Sequence, residues 1–229
     1  MRMRQNSLNQ FKRKYISEQY IFYMAALIGG FTGGYGIMRC GILGSAQTTN
    51  LITLVLSLLG RDMYGVLWRL GVILLYASAI VACILLDKRT RLDVRIISMY
   101  INAVGIVALS LIPHQYSGIP LLCPVFFMMA FQWNAFPGAC GYNCSCIFLT
   151  NNFRQMVTGA VEYVCDKNQQ GKRRFLFFAG TLVFYFVGIA CSFVCVNSGS
   201  STAVLWLLVP VAVTRIMIYF DKKNFVKAV

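Results

Sequence analysis

Two polar clusters hold the residue types best suited to bind something in this chain. In "SAQTTNLITLV" (45–55), Gln47, Thr48, Thr49 and Asn50 stand in a row inside an apolar region. "FLTNNFR" (148–154) repeats the pattern with Thr150, Asn151 and Asn152. Hydroxyls and amides donate and accept hydrogen bonds. A helix that begins inside a bilayer leaves its first N–H groups without water or carbonyl partners, and Thr and Asn are favoured N-caps. The helix expected from about Leu51 to Gly60 is roughly 15 Å long, half of a bilayer core of about 30 Å. Its start therefore falls near the midplane if Arg61 and Asp62 lie at the surface. A second such start facing it would bring two positive helix ends together, which suits an anion or the electronegative part of a neutral solute. The alternative is that both clusters only cap broken helices and bond between neighbours.

Other chemistry is weaker. Arg39 and Arg154 are the basic residues nearest the clusters, and charge at membrane depth is often functional; an interfacial Arg39 and a snorkelling Arg154 are the alternatives. Cys140, Cys144 and Cys146 form C-x3-C-x-C, which lacks zinc-site spacing and an adjacent His. The single histidine, His114, follows Pro113 in a short loop, where turn chemistry accounts for it. No Ser, His and acid constellation can be assembled, so no catalytic residue, metal or cofactor is expected and the chain is not read as an enzyme. Of the seven acids, only Glu162 enters a helix interior, near its end with Asp166. That favours a facilitator or channel over a proton-driven pump, which needs a buried titratable group.

The elements that must position these residues are membrane helices. Of the 229 residues 58% are hydrophobic and 12% charged, and apolar runs of about 20 residues recur throughout. The first begins near Tyr20 after a basic leader, with no early small-residue cleavage site, so the leader is expected to stay. Cys40, Cys83, Cys123, Cys165, Cys191 and Cys195 are scattered through apolar segments and read as packing residues. The net charge of +14 is a topology signal rather than a nucleic-acid one. Its cations gather at Arg2, Arg4, Lys12, Arg13 and Lys14; at Lys88, Arg89, Arg91 and Arg95; at Lys167, Lys172, Arg173 and Arg174; and at Lys222, Lys223 and Lys227. The loops "PHQYSG" (113–118) and "NSGSS" (197–201) carry none. Basic loops stay cytoplasmic, which places all four blocks inside, with attraction to anionic lipid as a consequence.

Residues 66–86, 95–112, 175–196 and 202–220 are single spans. Residues 20–60 and 119–165 are too long for one span, yet each must cross once to keep the basic blocks on one side. A full helix plus a re-entrant hairpin satisfies length and parity; two full spans in each region would put the block at 88–95 outside. The chain thus reads as a basic leader (1–19), two repeats (20–112 and 119–220) and a tail (221–229). Each repeat has an odd number of crossings, so the second inserts upside down, the plan of many secondary transporters. Gln132 and Asn134 fall where the first repeat has Gly30 and Thr32; such amides line a path or bond across a helix pair. The glycines from Gly29 to Gly44 serve close packing or an exposed backbone along a solute path.

"GGFTGGYGIMRCGILGSAQTTNLI" and "NAFPGACGYNCSCIFLTNNFRQ" resemble the paired signatures of the YoaK-like membrane proteins, the domain-of-unknown-function family numbered 1275. The resemblance covers essentially the whole chain and implies a bacterial integral membrane protein without an established activity. The Gly of the family's Thr-Gly-Asn element is Thr49 in the first copy and Asn151 in the second. An Asp that many relatives carry in the first helix is Gly33, so any ion coupling that rests on that acid is expected to be missing.

The expectation is an all-α protein of the bacterial inner membrane, with six net crossings, two broken segments and both termini cytoplasmic. It would be a transporter or channel for a small anionic or neutral solute held between the clusters, or else a non-transporting scaffold or sensor. Expected partners are membrane lipid and that solute, with no nucleic acid; a homo-oligomer is left open.

Overall fold

The computed structural model describes residues 2–44, 47–113, 115–116 and 118–226; Ser45, Ala46, His114 and Lys227 lie outside this set. Helix α1 runs unbroken from Arg2 to Cys40, so the leader continues into the first apolar helix. Then follow α2 (Thr48–Leu59), α3 (Met63–Arg89), α4 (Val94–Ser110), a 3-10 turn (Ile119–Leu122) leading into α5 (Cys123–Ala135), and strands β1 (Gly138–Ala139) and β2 (Tyr142–Asn143). The chain ends with α6 (Thr150–Asp166), α7 (Gln169–Asn197) and a 3-10 segment (Ser201–Leu207) leading into α8 (Leu208–Val226).

Among the described residues, four helical stretches are long and apolar enough to cross a membrane: Tyr15–Cys40, Met63–Arg89, Gln169–Asn197 and Ser201–Lys223. Helix α4 and the segment Ile119–Ala135 are shorter apolar elements, at the lower end of the crossing range of about 17–25 residues. Large apolar side chains such as Leu67, Leu74, Val104 and Val194 stand exposed on the outer faces of α3, α4 and α7. In water such a surface would drive association; against lipid chains it is the solvated one.

The interior is built around α1 and α5. Phe22, Ile28, Phe126, Met128, Met129 and Phe131 are completely enclosed. Helix α1 runs parallel to α7 in backbone contact: a Cβ at Gly30 would meet the Tyr185 carbonyl oxygen at 2.0 Å, and one at Gly188 the Leu27 carbonyl oxygen at 2.1 Å. Only glycine admits that approach. Helix α5 runs beside α3 and antiparallel to α4, where Gly105 receives the Met128 side chain. Helices α4 and α8 cross at Arg215, whose guanidinium stacks 5.5 Å from the Tyr100 ring.

The basic blocks converge on one end. Lys88, Arg91, Arg95 and Lys222 line a single cavity there, Glu18, Arg95 and Tyr142 border the adjoining one, and Tyr142 packs 5.1 Å from the ring of Phe177, one turn past Arg173 and Arg174. The opposite end is marked by Arg39, which donates to the Tyr116 carbonyl at 2.8 Å.

Candidate functional site

The two long regions each send a chain segment into the bundle, from opposite ends. Past α1 the chain reverses at Gly41, whose φ of +66° is left-handed. It then lies back along α1, with a Cβ at Gly36 only 2.7 Å from the Ile42 carbonyl oxygen and one at Gly44 2.8 Å from Val125. From there α2 leads back toward the Arg39 end, where Gly60 to Asp62 turn the chain into α3. The second segment starts from the basic end. After α5, Cys140 (φ +56°) and Gly141 (φ +80°) close a two-residue hairpin between β1 and β2, the backbone of a type I′ turn. The Cys140 thiol donates to the Tyr15 carbonyl at 3.3 Å, pinning the hairpin to α1. The chain then climbs to Cys146, whose carbonyl oxygen is 2.1 Å from a Cβ built on Gly29, and α6 leads back to the basic end.

Both helices begin partway along the bundle with Asn50 and Asn152 turned inward and Thr48, Thr49, Thr150 and Asn151 exposed, and neither cluster caps its helix. The residues at the cap positions are Gln47 and Leu149, and neither makes a side-chain capping bond. The asparagines sit in the first turn and reach back to the preceding segment instead. Asn152, fully buried, donates from Nδ2 to the carbonyls of Ser145 (2.6 Å) and Phe148 (3.1 Å) and accepts from the Ser145 N–H at 3.3 Å. Ser145 Oγ in turn accepts the N–H groups of Ile147 and Phe148. Asn152 is thus a staple whose amide is committed to backbone. Asn50, 3% exposed, donates to Gln47 Oε1 at 3.3 Å, while Gln47 Nε2 is buried without a partner.

The remaining predicted residues are dispersed. Thr48, Thr49, Thr150, Asn151 and Arg154 are exposed, and Arg154 donates to Asn151 Oδ1 at 3.1 Å. Arg39 lies at the far end over the Tyr35 ring. The helix after the second cluster, α6, is amphipathic. It lays Gly159 against Gly171 and Phe175 of α7 and is clamped by Arg174, which binds Glu162 at 2.8 Å and also Gln155.

Two predicted amides lie in or beside the interior. Gln132 is fully buried, donating from Nε2 to the Ala25 carbonyl at 3.0 Å and, more weakly, to Cys146 Sγ at 3.6 Å, while its Oε1 accepts from Asn102 Nδ2 at 2.6 Å. Asn134 donates to the Ala130 carbonyl and lines a cavity of about 690 Å3 at the basic end. A second cavity, of about 490 Å3, lies beneath the hairpin. Arg95, Ala135 and Pro137 border both. Arg95 is held by a two-pronged bond to Asp93, Nε to Oδ1 at 3.1 Å and Nη2 to Oδ2 at 2.9 Å, with Asp221 at 4.0 Å. Burial opposes the charge on Asp93, but the Arg95 guanidinium and the N–H that Asp93 caps outweigh it, and its pKa lies below the usual 3.8.

The sequence profile of a family described as proteins of unknown function (DUF1275) matches residues 21–218. The chain belongs to the DUF1275 family. The DUF1275 match takes in both inward segments and Asn102–Gln132, and leaves out the leader and Lys222. No curated protein and no solved structure matches the chain. At Gly33, where the family resemblance implies an acid, a Cβ would lie 2.8 Å from the Tyr185 hydroxyl and 3.3 Å from Leu43. The same hydroxyl reaches the Ile147 carbonyl at 3.4 Å. Tyr185 therefore stands between the two inward segments, in the room an acid would need.

Asn102 and Ser98 were missed by reading α4 as a plain span. Their spacing of four in "VRIISMYINAVG" was the available signal, since it sets two polar side chains on one helix face.

Proposed function

We propose that this DUF1275 protein is a transporter or channel for a small anionic or neutral solute, built as two inverted repeats of three crossings each in a bacterial cytoplasmic membrane. The observation that carries the reading is a pair of chain segments that enter the bundle from opposite ends and stop inside it, with the 690 Å3 cavity opening from the basic end. Broken helices meeting between repeats form the sites of many secondary carriers. A two-fold repeat is supported by the helix pairings: α1 with α7 and α5 with α3, α2 with α3 and α6 with α7, α1 with α8 and α5 with α4; its inversion is supported by chain direction, since α1 ends at the Arg39 end and α5 at the basic cavity. Each pair converts into its counterpart when helices are advanced by four, and α4 with α8 converts into itself. By the positive-inside rule the basic end is cytoplasmic, so the cavity describes an inward-open state.

The rival reading, a non-transporting scaffold, draws on Asn152, whose amide is used up in holding the chain. Flux separates the two. Proteoliposomes containing the protein are screened with small organic anions and neutral solutes against empty vesicles and against Asn50→Leu and Asn152→Leu. Uptake that saturates supports transport; background uptake across the screen from folded protein supports the scaffold.

A further inference from the structure

The larger cavity is floored by Val94 and Arg95 of α4 and Ala135 of α5. One helical turn deeper, roughly 5 Å, the same faces carry Ser98 and Gln132, and Asn102 follows a turn beyond; none is more than 1% exposed. The Ala25 carbonyl can only accept, which fixes Gln132 Nε2 toward it and Oε1 toward Asn102. Asn102 must then donate from Nδ2, and its Oδ1 is left buried without a partner. Ser98 Oγ, on the same face, is also buried and unpartnered. Buried polar atoms nearly always have partners. Two orphans on one helix face, a turn or two behind an open cavity, mark a place that a ligand completes.

We propose that this seam between α4 and α5 is the solute site, and that it takes small organic anions carrying O–H or N–H donors. The proposal rests on the transport reading above and names its substrate class. Charge is selected at the mouth: Lys88, Arg91 and Lys222 line it together with Asp87, and these three cations form no ion pair among the described residues, whereas Arg95 is neutralised by Asp93; the mouth keeps a net positive charge. The donor requirement comes from the depth, because Asn102 Oδ1 only accepts. A hydrocarbon or a bare halide would leave that oxygen as it is.

The test is thiol labelling of the full chain in membrane vesicles, read residue by residue by mass spectrometry. Ser98→Cys is treated from the basic end with an anionic methanethiosulfonate (sulfonatoethyl) and a cationic one (trimethylammonioethyl), with Ala135→Cys as the cavity-floor reference. The ratio of the two rates at one thiol is independent of that thiol's own reactivity. The site predicts modification at both positions, with the sulfonate about tenfold faster at residue 98 and the ratio falling toward one in Arg91→Gln/Lys222→Gln. Modification at 135 but not at 98 overturns the seam, and equal rates for both reagents overturn the anion preference. Ser98→Ala removes an orphan and leaves no partner stranded, so it should keep or raise the melting temperature while lowering flux; unchanged flux also overturns the site. Labelling at 98 without any solute flux would retain a binding site and defeat the transport reading alone.

Discussion

Replacing Asn152 by Ala isolates the staple that holds the second inward segment. The change removes the bonds to Ser145 N–H and to the carbonyls of Ser145 and Phe148. Ser145 is 7% exposed, so water does not readily replace the amide. Each buried backbone group left unsatisfied costs about 1–3 kcal/mol. Two such groups at Ser145 give about 3 kcal/mol as a working figure, or roughly 6–12 °C in melting temperature for a chain of this size. Asn151→Ala is the control, because Asn151 is exposed and its bond is to Arg154 on the surface; it should shift melting by about 2 °C or less, as surface substitutions within about 0.5 kcal/mol do. The assay is fluorescence-detected size-exclusion melting in detergent. If Asn152→Ala melts within about 2 °C of Asn151→Ala, Asn152 is not a staple, and the cluster's role in holding the α6 start has to be abandoned.

Three further outcomes follow from single contacts. Gly188→Ala places a methyl 2.1 Å from the Leu27 carbonyl oxygen and should force α1 from α7, lowering melting by several degrees or abolishing a monodisperse peak; Gly71→Ala, with nothing within 4 Å, should do neither. Because the folded pKa of Asp93 is lowered, the stabilisation from its Arg95 pair is complete above the unfolded value near 3.8 and is lost as pH falls through the folded value. Melting curves of the wild type and Arg95→Gln should therefore differ at pH 6 and converge below about pH 4, and a constant gap down to pH 3 would contradict the pair's role. Burial, then the Glu18 carboxylate, push the Cys140 thiol up to about 11, so its alkylation rate at low reagent should keep rising with pH to about 11; a plateau near pH 9 in peptide mass spectra would refute the hairpin's docking against α1.

What was legible depended on whether a signal was local. Helices α3, α7 and α8 are apolar runs bounded by charged or polar residues, so length and charge outline them. The broken segments were an expectation from parity: the leader and the basic block at 88–95 share an end only if residues 20–60 cross an odd number of times, and the blocks at 88–95 and 167–174 only if residues 119–165 do. The amphipathic character of α6 escaped because its buried stripe, Asn152 and Gly159, contains no large apolar residue, and its packing comes from glycine contact with α7. The capping expectation failed for a related reason. A three-residue cluster cannot reveal that Ser145, seven residues upstream, offers Asn152 a buried carbonyl and N–H. Gln132 stood out as an amide in an apolar helix, but its partner Asn102 lies 30 residues away in a segment whose hydropathy looked ordinary. Lys88, Arg91 and Lys222 were read as signals of topology and lipid attraction, because their convergence on one cavity depends on how the end of α3, the start of α4 and the end of α8 come together.

The inverted arrangement is tested most directly by which side of the membrane each end faces. In intact cells, a membrane-impermeant maleimide is applied to Arg91→Cys and Lys167→Cys at the basic end and to Arg61→Cys and Ser200→Cys at the other. Labelling at 61 and 200 alone, with 91 and 167 reacting only after permeabilisation, is the expected result. Labelling at 91 in intact cells would mean two full spans in each long region and parallel repeats, and would contradict the inverted plan on which the transport reading stands.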